Sequence, residues 1–394
     1  MKFSEVSSLL AKASRDRVLR TGLARSIKSY MGKRRFAEEA SELASRVREA
    51  KEEAIPRLKE LAKQAADSIE DNGGVAYIAR TAEEARRIAG ELVGSGKLVV
   101  KAKSMTTEEV ELREHLERLG NEVWETDLGE FIIQLLGSKP MHFTSPAIHV
   151  TREEVAELFR RKINAKIGDS IPELAKAARE FLREKFLRAD VGVTGANAIA
   201  ADSGMIFTLE NEANVRLASA LPEKHIVVAG VEKVYRTSIE AWMAVEVTMR
   251  YAGYKSTSYV NVVASPSKTG DIEKTVVYGA HGPRELHVIL VDNGRYKASE
   301  DPVLKEALYC LRCGACQYMC PVFKITGGYW GGKVYVGGIG VIWTAITGSI
   351  EEAMLHSYAC LLCGRCIEAC PLKIDQPKMI RELRRRWLSS LRAR

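Results

Sequence analysis

The sequence predicts three parts in series: a helical N-terminal region, a central α/β domain on a largely parallel sheet, and a helical C-terminal region built around two cysteine loops. Three observations carry this. Residues 4–69 are dense in Ala, Glu, Lys and Arg, with Leu and Ile at helical spacing. From Val75 to Arg295, short apolar runs alternate with helix-patterned stretches. Beyond these, all eight cysteines fall in two runs of one spacing, starting at Cys310 and Cys360. The implied boundaries are 1–72, 73–296 and 297–385, with a basic tail at 386–394.

The N-terminal pattern is broken at Pro56, which suits a first-turn position or a break, and stops at Asp71-Asn72-Gly73-Gly74. The apolar runs GVAYIA, KLVVKAK and NEVWETD then alternate with helical segments. Thr81, Thr106 and Thr151 each precede a Glu by three residues, the pattern of a capping box. A helix is expected over Ile171–Arg188. Further strands are expected in GMIFTLE, KHIVVAGVEKV, SYVNVVAS and ELHVILVDNG.

A chain of 394 residues, 46% hydrophobic and 28% charged, has material for a substantial core. No run reaches the roughly 18 apolar residues a membrane helix needs. The N-terminus turns charged at once, unlike a secretory leader, so a reducing, cytoplasmic compartment is expected. There, clustered thiols are metal ligands rather than disulfides. The net charge of +8 sits largely in KSYMGKRRF and RELRRRWLSSLRAR and does not make a case for nucleic acid.

Both cysteine runs read C-x2-C-x2-C-x3-C-P, the bacterial-ferredoxin pattern. Three cysteines two residues apart let one tight loop serve three corners of a cubane, and the fourth serves the neighbouring cluster. On that logic one [4Fe-4S] cluster takes Cys310, Cys313, Cys316 and Cys370, and the other takes Cys360, Cys363, Cys366 and Cys320. Gly314 and Gly364 permit close backbone approach, with amides turned to the sulfides. Structural zinc leaves the third cysteine of each triplet unexplained. Arg312, Lys324, Arg365 and Lys373 flank the runs, either tuning cluster charge or simply solvated. The glycine-rich GGYWGGKVYVGGIG lacks a phosphate-loop pattern and no helix clearly follows it, so a compact loop is expected.

The stretches VVKAKSMTTEEVELREHLERLGNEVWETDLGEFIIQL, KPMHFTSPAIHVTREEVAELF and GVTGANAIAADSGMIFTLENEANVRLASALPEKHIVVAGVEKV resemble the LUD (lactate utilisation) domain. Joined to RCGACQYMCPV and LCGRCIEACPLKID, they resemble the lactate utilisation protein B family, from about Lys97 to Ile380. The resemblance implies a sheet like that of sugar-phosphate isomerases and CoA-transferases. It also implies electron transfer in an L-lactate-oxidising system, with a cysteine-rich-domain subunit and a second LUD subunit as partners. Two other readings stand beside it: a subunit of a heterodisulfide-reductase-like or quinone-linked oxidoreductase, and a LUD-domain enzyme acting on an organic acid itself.

Lys103, Glu125, Asp127, Glu130, Asn197, Glu212 and Lys233 are the candidate ligand-binding residues of the α/β domain. Several fall at expected strand ends, where α/β sheets bind ligands. Each also has a structural alternative; Asp127 and Glu130, for example, suit the start of a helix. The C-terminal basic helix could meet an anionic membrane peripherally, near a quinone, or dock on a protein surface, including this chain's own helices.

Overall fold

The computed structural model describes residues 3–392; Met1, Lys2, Ala393 and Arg394, the last two part of the expected tail, lie outside the described residues. The chain opens with helices Phe3–Arg15, Arg17–Met31, Arg35–Glu39, Ser41–Ala54 and Leu58–Asp71. Asp16 caps the second by accepting from the Leu19 amide at 3.0 Å. Pro56 sits in a single 3-10 turn, Ile55–Arg57, that joins the last two helices. The stop at Asn72-Gly73 is built as a turn: the Asn72 amide donates to the Ser68 and Ser203 carbonyls, and Gly73 adopts φ +89°.

Six parallel strands form the central sheet, in the order Val75–Ala79, Glu285–Val291, Lys224–Gly230, Val191–Thr194, Leu98–Lys101, Glu122–Glu125. Its inner strands are buried almost throughout, as a sheet covered on both faces requires. One face packs on a core containing Val93, Leu116 and Ile289, and part of the other on Phe131, Phe159 and Leu182.

A second sheet departs from the expected single parallel one. Val234–Tyr235, Ala198–Ala200, Ile206–Glu210 and Tyr259–Val263 form four strands, mostly antiparallel. One of these strands lies in the small-residue stretch GANAIAADSG. Alanine has weak strand preference, but its small side chain lets Ala198–Ala200 lie fully buried beneath the helix Ser238–Tyr251.

Thr81 and Thr151 cap their helices as expected, Thr151 with a complete capping box to Glu154. Thr106 does not. Ser104 caps the helix Met105–Glu109 by accepting from the Thr107 amide, and Thr106 lies inside it. Its would-be partner Glu109 turns instead to Arg295.

The glycine-rich stretch also differs from expectation, because the helix Gly337–Thr347 begins within it, burying Ile339, Ile342 and Trp343. Helix Arg295–Glu300 crosses the expected 296/297 boundary, and helix Gln376–Arg392 runs unbroken through 385/386. The last helix lies against Gly337–Thr347 and Ile350–Ser357 and is tied by Arg386 to Asp301. One hydrophobic core runs from Leu23 and Val47 through Ile199 and Val234 to Phe323, Trp330 and Ile380. The N-terminal helices, the second sheet and the cysteine region thus share packing rather than forming separate bodies.

His225 lies within the central sheet. Its Nε2 is 2.8 Å from the Thr194 hydroxyl, and burial pulls its pKa down to about 4. The unfolded chain takes up a proton there near pH 6.5, whereas the fold does not, so stability is lost as pH falls from about 6.5 towards 4. Between pH 7 and 5 this site removes about 2 kcal/mol. His225→Gln is expected to flatten that part of the pH dependence, measured by denaturant unfolding at the two pH values.

Candidate iron–sulfur centre and the adjoining cavity

The two cysteine loops repeat one backbone trace. Arg312 and Leu362, two residues after the first cysteine of each run, take φ +60° and +55°; Gly314 and Gly364 take +80° and +79°. A non-glycine residue in the left-handed region is costly, yet both loops adopt it at the same place. Short helices Ala315–Met319 and Arg365–Ala369 follow and pack against each other.

The thiols gather into two sets. Cys313, Cys316 and Cys370 interact electrostatically with one another and with Cys310. Cys320 and Cys366 interact with Cys360 and Cys363. The sets meet where Cys316 feels Cys366. Burial pushes the Cys370 thiol up to about 11 and that of Cys366 up to about 12. Backbone amides work the other way: Ala315 on Cys313, Val322 and Phe323 on Cys320, Leu362 on Cys360, and Leu372 and Ile374 on Cys370. Buried thiols that are costly to ionise alone, cradled by convergent N–H groups, are a donor set for an anionic cluster bound through thiolates.

The two sets differ in setting. Cys313 and Cys370 are buried, and a Cβ on Gly314 would meet the His142 ring at 2.8 Å. Cys363 is exposed, Leu361 is 66% exposed, and a Cβ on Gly364 would meet nothing within 4 Å.

Arg312 is the residue through which the first loop is fixed. Far from being solvated, its side chain is buried and its Nη1 lies 2.7 Å from Glu232 Oε1. Glu232, fully buried after the strand Lys224–Gly230, also pairs with Arg295. Arg295 forks onto Glu109, with 2.8 and 2.7 Å contacts. The guanidinium groups of Arg312 and Arg295 lie 4.5 and 5.0 Å from the Trp343 ring centroid. Burial alone would raise the Glu232 carboxyl, but Arg295, Arg312 and Lys233 overcome it and hold it well below the usual range.

Beside this network opens a cavity of about 330 Å³. It is walled by the carboxyl ends of sheet strands: Lys103 follows Leu98–Lys101, Asp127 follows Glu122–Glu125, Asn197 follows Val191–Thr194 and Lys233 follows Lys224–Gly230. Glu212 and the loop Leu311–Cys313 close it. The cavity therefore brings together five of the seven candidate residues and abuts the first cysteine loop.

Glu125 and Glu130 lie outside it, on a separate cleft with Glu108 and Lys139. Strand alternation explains Glu125. It turns to the fully buried Lys101, which contacts Glu125 at 2.7 Å and Glu108 at 2.8 Å. Burial lifts Glu125 to about 8; Lys101 opposes the rise, and the neighbouring carboxylates Glu108 and Glu130 add to it. Asp127 meets its structural expectation by capping the helix Leu128–Leu136, accepting from the Glu130 amide at 3.0 Å. Ser104, Thr144 and Tyr254 also line the cavity, and no spacing pattern pointed to them.

Comparison with known proteins finds two matching families. The LUD domain family matches residues 62–291, more than half the chain, and the 4Fe-4S dicluster domain family matches residues 306–374. The cysteine region is thus a dicluster domain carrying two [4Fe-4S] clusters. The chain is 40% identical over 326 residues to a lactate utilization protein B of Shouchella clausii, covering 82% of this chain and 67% of that one. It is 37% identical to that of Bacillus velezensis (85% and 70%) and 37% identical to that of Bacillus subtilis (80% and 65%). The chain spans about two thirds of the length of these relatives.

Removing Glu232 leaves two buried guanidinium groups facing each other. Glu232→Ala is expected to destabilise the chain by about 3–5 kcal/mol. Undocking of the first loop should show as faster cluster loss under iron chelation, with Glu232→Gln intermediate. Unchanged cluster retention in Glu232→Ala would contradict the docking role.

Proposed function

The chain belongs to the lactate utilization protein B family, and from that premise we propose that it is the electron-relay subunit of an L-lactate-oxidising assembly. One cluster is held by Cys310, Cys313, Cys316 and Cys370, and the other by Cys360, Cys363, Cys366 and Cys320. The clusters supply one-electron carriers; the chain's residues set where each carrier sits. The carrying observation is the unequal setting of the two loops. The first is buried against the α/β cavity through Arg312, and the second opens to the surface at Leu361 and Cys363.

That asymmetry supports an ordered path: cavity side, first cluster, second cluster, surface. The meeting of Cys316 with Cys366 supports passage between the two. The exposed second loop is then the face for a redox partner. The family resemblance supplies the candidates: a cysteine-rich-domain subunit and a second LUD subunit, with a further carrier or a quinone as acceptor. Among the described residues no helix is long and apolar enough to cross a membrane, so a quinone would be reached through partners or a peripheral contact.

The test is electron flow from L-lactate to an acceptor dye in the anaerobic complex with native partners. Cys313→Ala and Cys363→Ala are each expected to lose about half the iron and to drop dye reduction to background, with the α/β fold retained by circular dichroism. Full dye reduction with either cluster missing would sink the relay. Leu361→Asp is expected to slow transfer while keeping both clusters.

A further inference from the structure

Lys233 carries a charge that the fold leaves unmatched. It is 5% exposed, lines the cavity, and makes no side-chain hydrogen bond or salt bridge among the described residues. The carboxylate that acts on it, Glu232, is already engaged by Arg295 and Arg312, and its other negative neighbour is the Cys310 thiol of the first loop. Burial, with Arg312 adding, pulls Lys233 down to about 8, so the ammonium still persists at neutral pH. A buried, unpaired ammonium is costly, and an arriving anion relieves that cost.

The other walls extend the pattern. Lys103 Nζ has no hydrogen-bond partner and lies 3.5 Å from Glu130. Asn197 spends its Oδ1 on the Leu209 amide at 2.9 Å, which leaves its NH2 group for the cavity. Also on the cavity wall, Glu212 accepts from the Leu128 amide at 3.0 Å, and burial with the neighbouring Asp127 lifts it to about 7. The site thus offers cationic and N–H donors for a carboxylate, and a carboxyl group able to give or accept a hydrogen bond.

Size narrows the ligand. At about 330 Å³ the cavity is at the small end of metabolite sites and does not suit a dinucleotide or flavin. Its one guanidinium, Arg312, is committed to Glu232, so an anion there is met by ammonium and amide donors rather than by a fork.

We propose that this cavity binds a small hydroxy- or oxo-carboxylate. Lys233 and the Asn197 amide receive the carboxylate, and the hydroxyl or oxo group faces Glu212. The ligand sits against the Leu311–Cys313 loop. The anion site stands on the geometry; the choice of a hydroxy or oxo acid rests on the proposed function.

The test is isothermal titration calorimetry of the anaerobic holoprotein with L-lactate, pyruvate and inorganic phosphate. It is run on wild type, Lys233→Met and Asn197→Asp, the latter keeping the acceptor for Leu209. One of the carboxylates is expected to bind wild type and to weaken about tenfold or more in both variants, the loss of one charge-assisted hydrogen bond. Iron content should stay unchanged, and ligand should alter the EPR line shape of one reduced cluster. Three results would overturn the site: neither carboxylate binds wild type, both variants bind as tightly as wild type, or phosphate binds more tightly than either carboxylate. The second outcome would assign Lys233 to the cluster's charge alone. Electron relay in the same preparations separates the readings. Absent binding with intact relay overturns the cavity site only; carboxylate binding with absent relay supports the site and removes the relay.

Discussion

The arrangement depends on one buried carboxylate. Glu232 sits between two guanidinium groups, one from the helix after the last sheet strand and one from inside the first cysteine loop. Burying three charges is expensive unless each finds its counterpart, and the set is repaid only when the two parts of the chain are docked. Hydrophobic burial holds many arrangements of helices together; a buried ion network with fixed forks accepts far fewer. The pair therefore sets position more than it adds stability. It places the Leu311–Cys313 segment against the carboxyl ends of the sheet strands, where α/β domains keep their ligand sites.

Lys51 belongs to the same design. Its ammonium donates to the Glu232 carbonyl and lies 4.1 Å from the Tyr235 ring centroid. Burial and Lys233 lower it to about 7, with Glu232 opposing. The N-terminal helix Ser41–Ala54 is thereby tied to the turn that carries both Glu232 and Lys233. Tyr335, from the segment between the cysteine runs, donates to Glu109 on the far side of the network. Three regions of the chain converge on one turn, and the shared hydrophobic core surrounds it. The parts on either side of the borders drawn from sequence share one core, and helices cross both C-terminal borders.

The cysteine sets were legible because their pattern is local: spacing within one loop specifies both the wrap and the outlying fourth thiol. Lys103, Asp127, Asn197 and Lys233 were legible because each follows an apolar strand, and strand ends of a parallel sheet converge. Glu125 misled for the same reason. It stands two residues before Asp127 but is still in the strand, and its side chain leaves for Lys101. The pairing of Arg312 with Glu232 was not legible, since no local pattern joins residues brought together only by docking. Neither was the second sheet, whose alanine strand is selected by tight packing under a helix rather than by propensity.

A relay ordered by burial would run from the first cluster, beside the cavity, to the second, at the surface. Rapid freeze-quench EPR of the anaerobic complex after mixing with L-lactate tests it directly. Both [4Fe-4S] centres are expected to become reduced within one turnover of lactate oxidation. Clusters that stay oxidised, or fill more slowly than the complex turns over, would show that the electrons travel by another route.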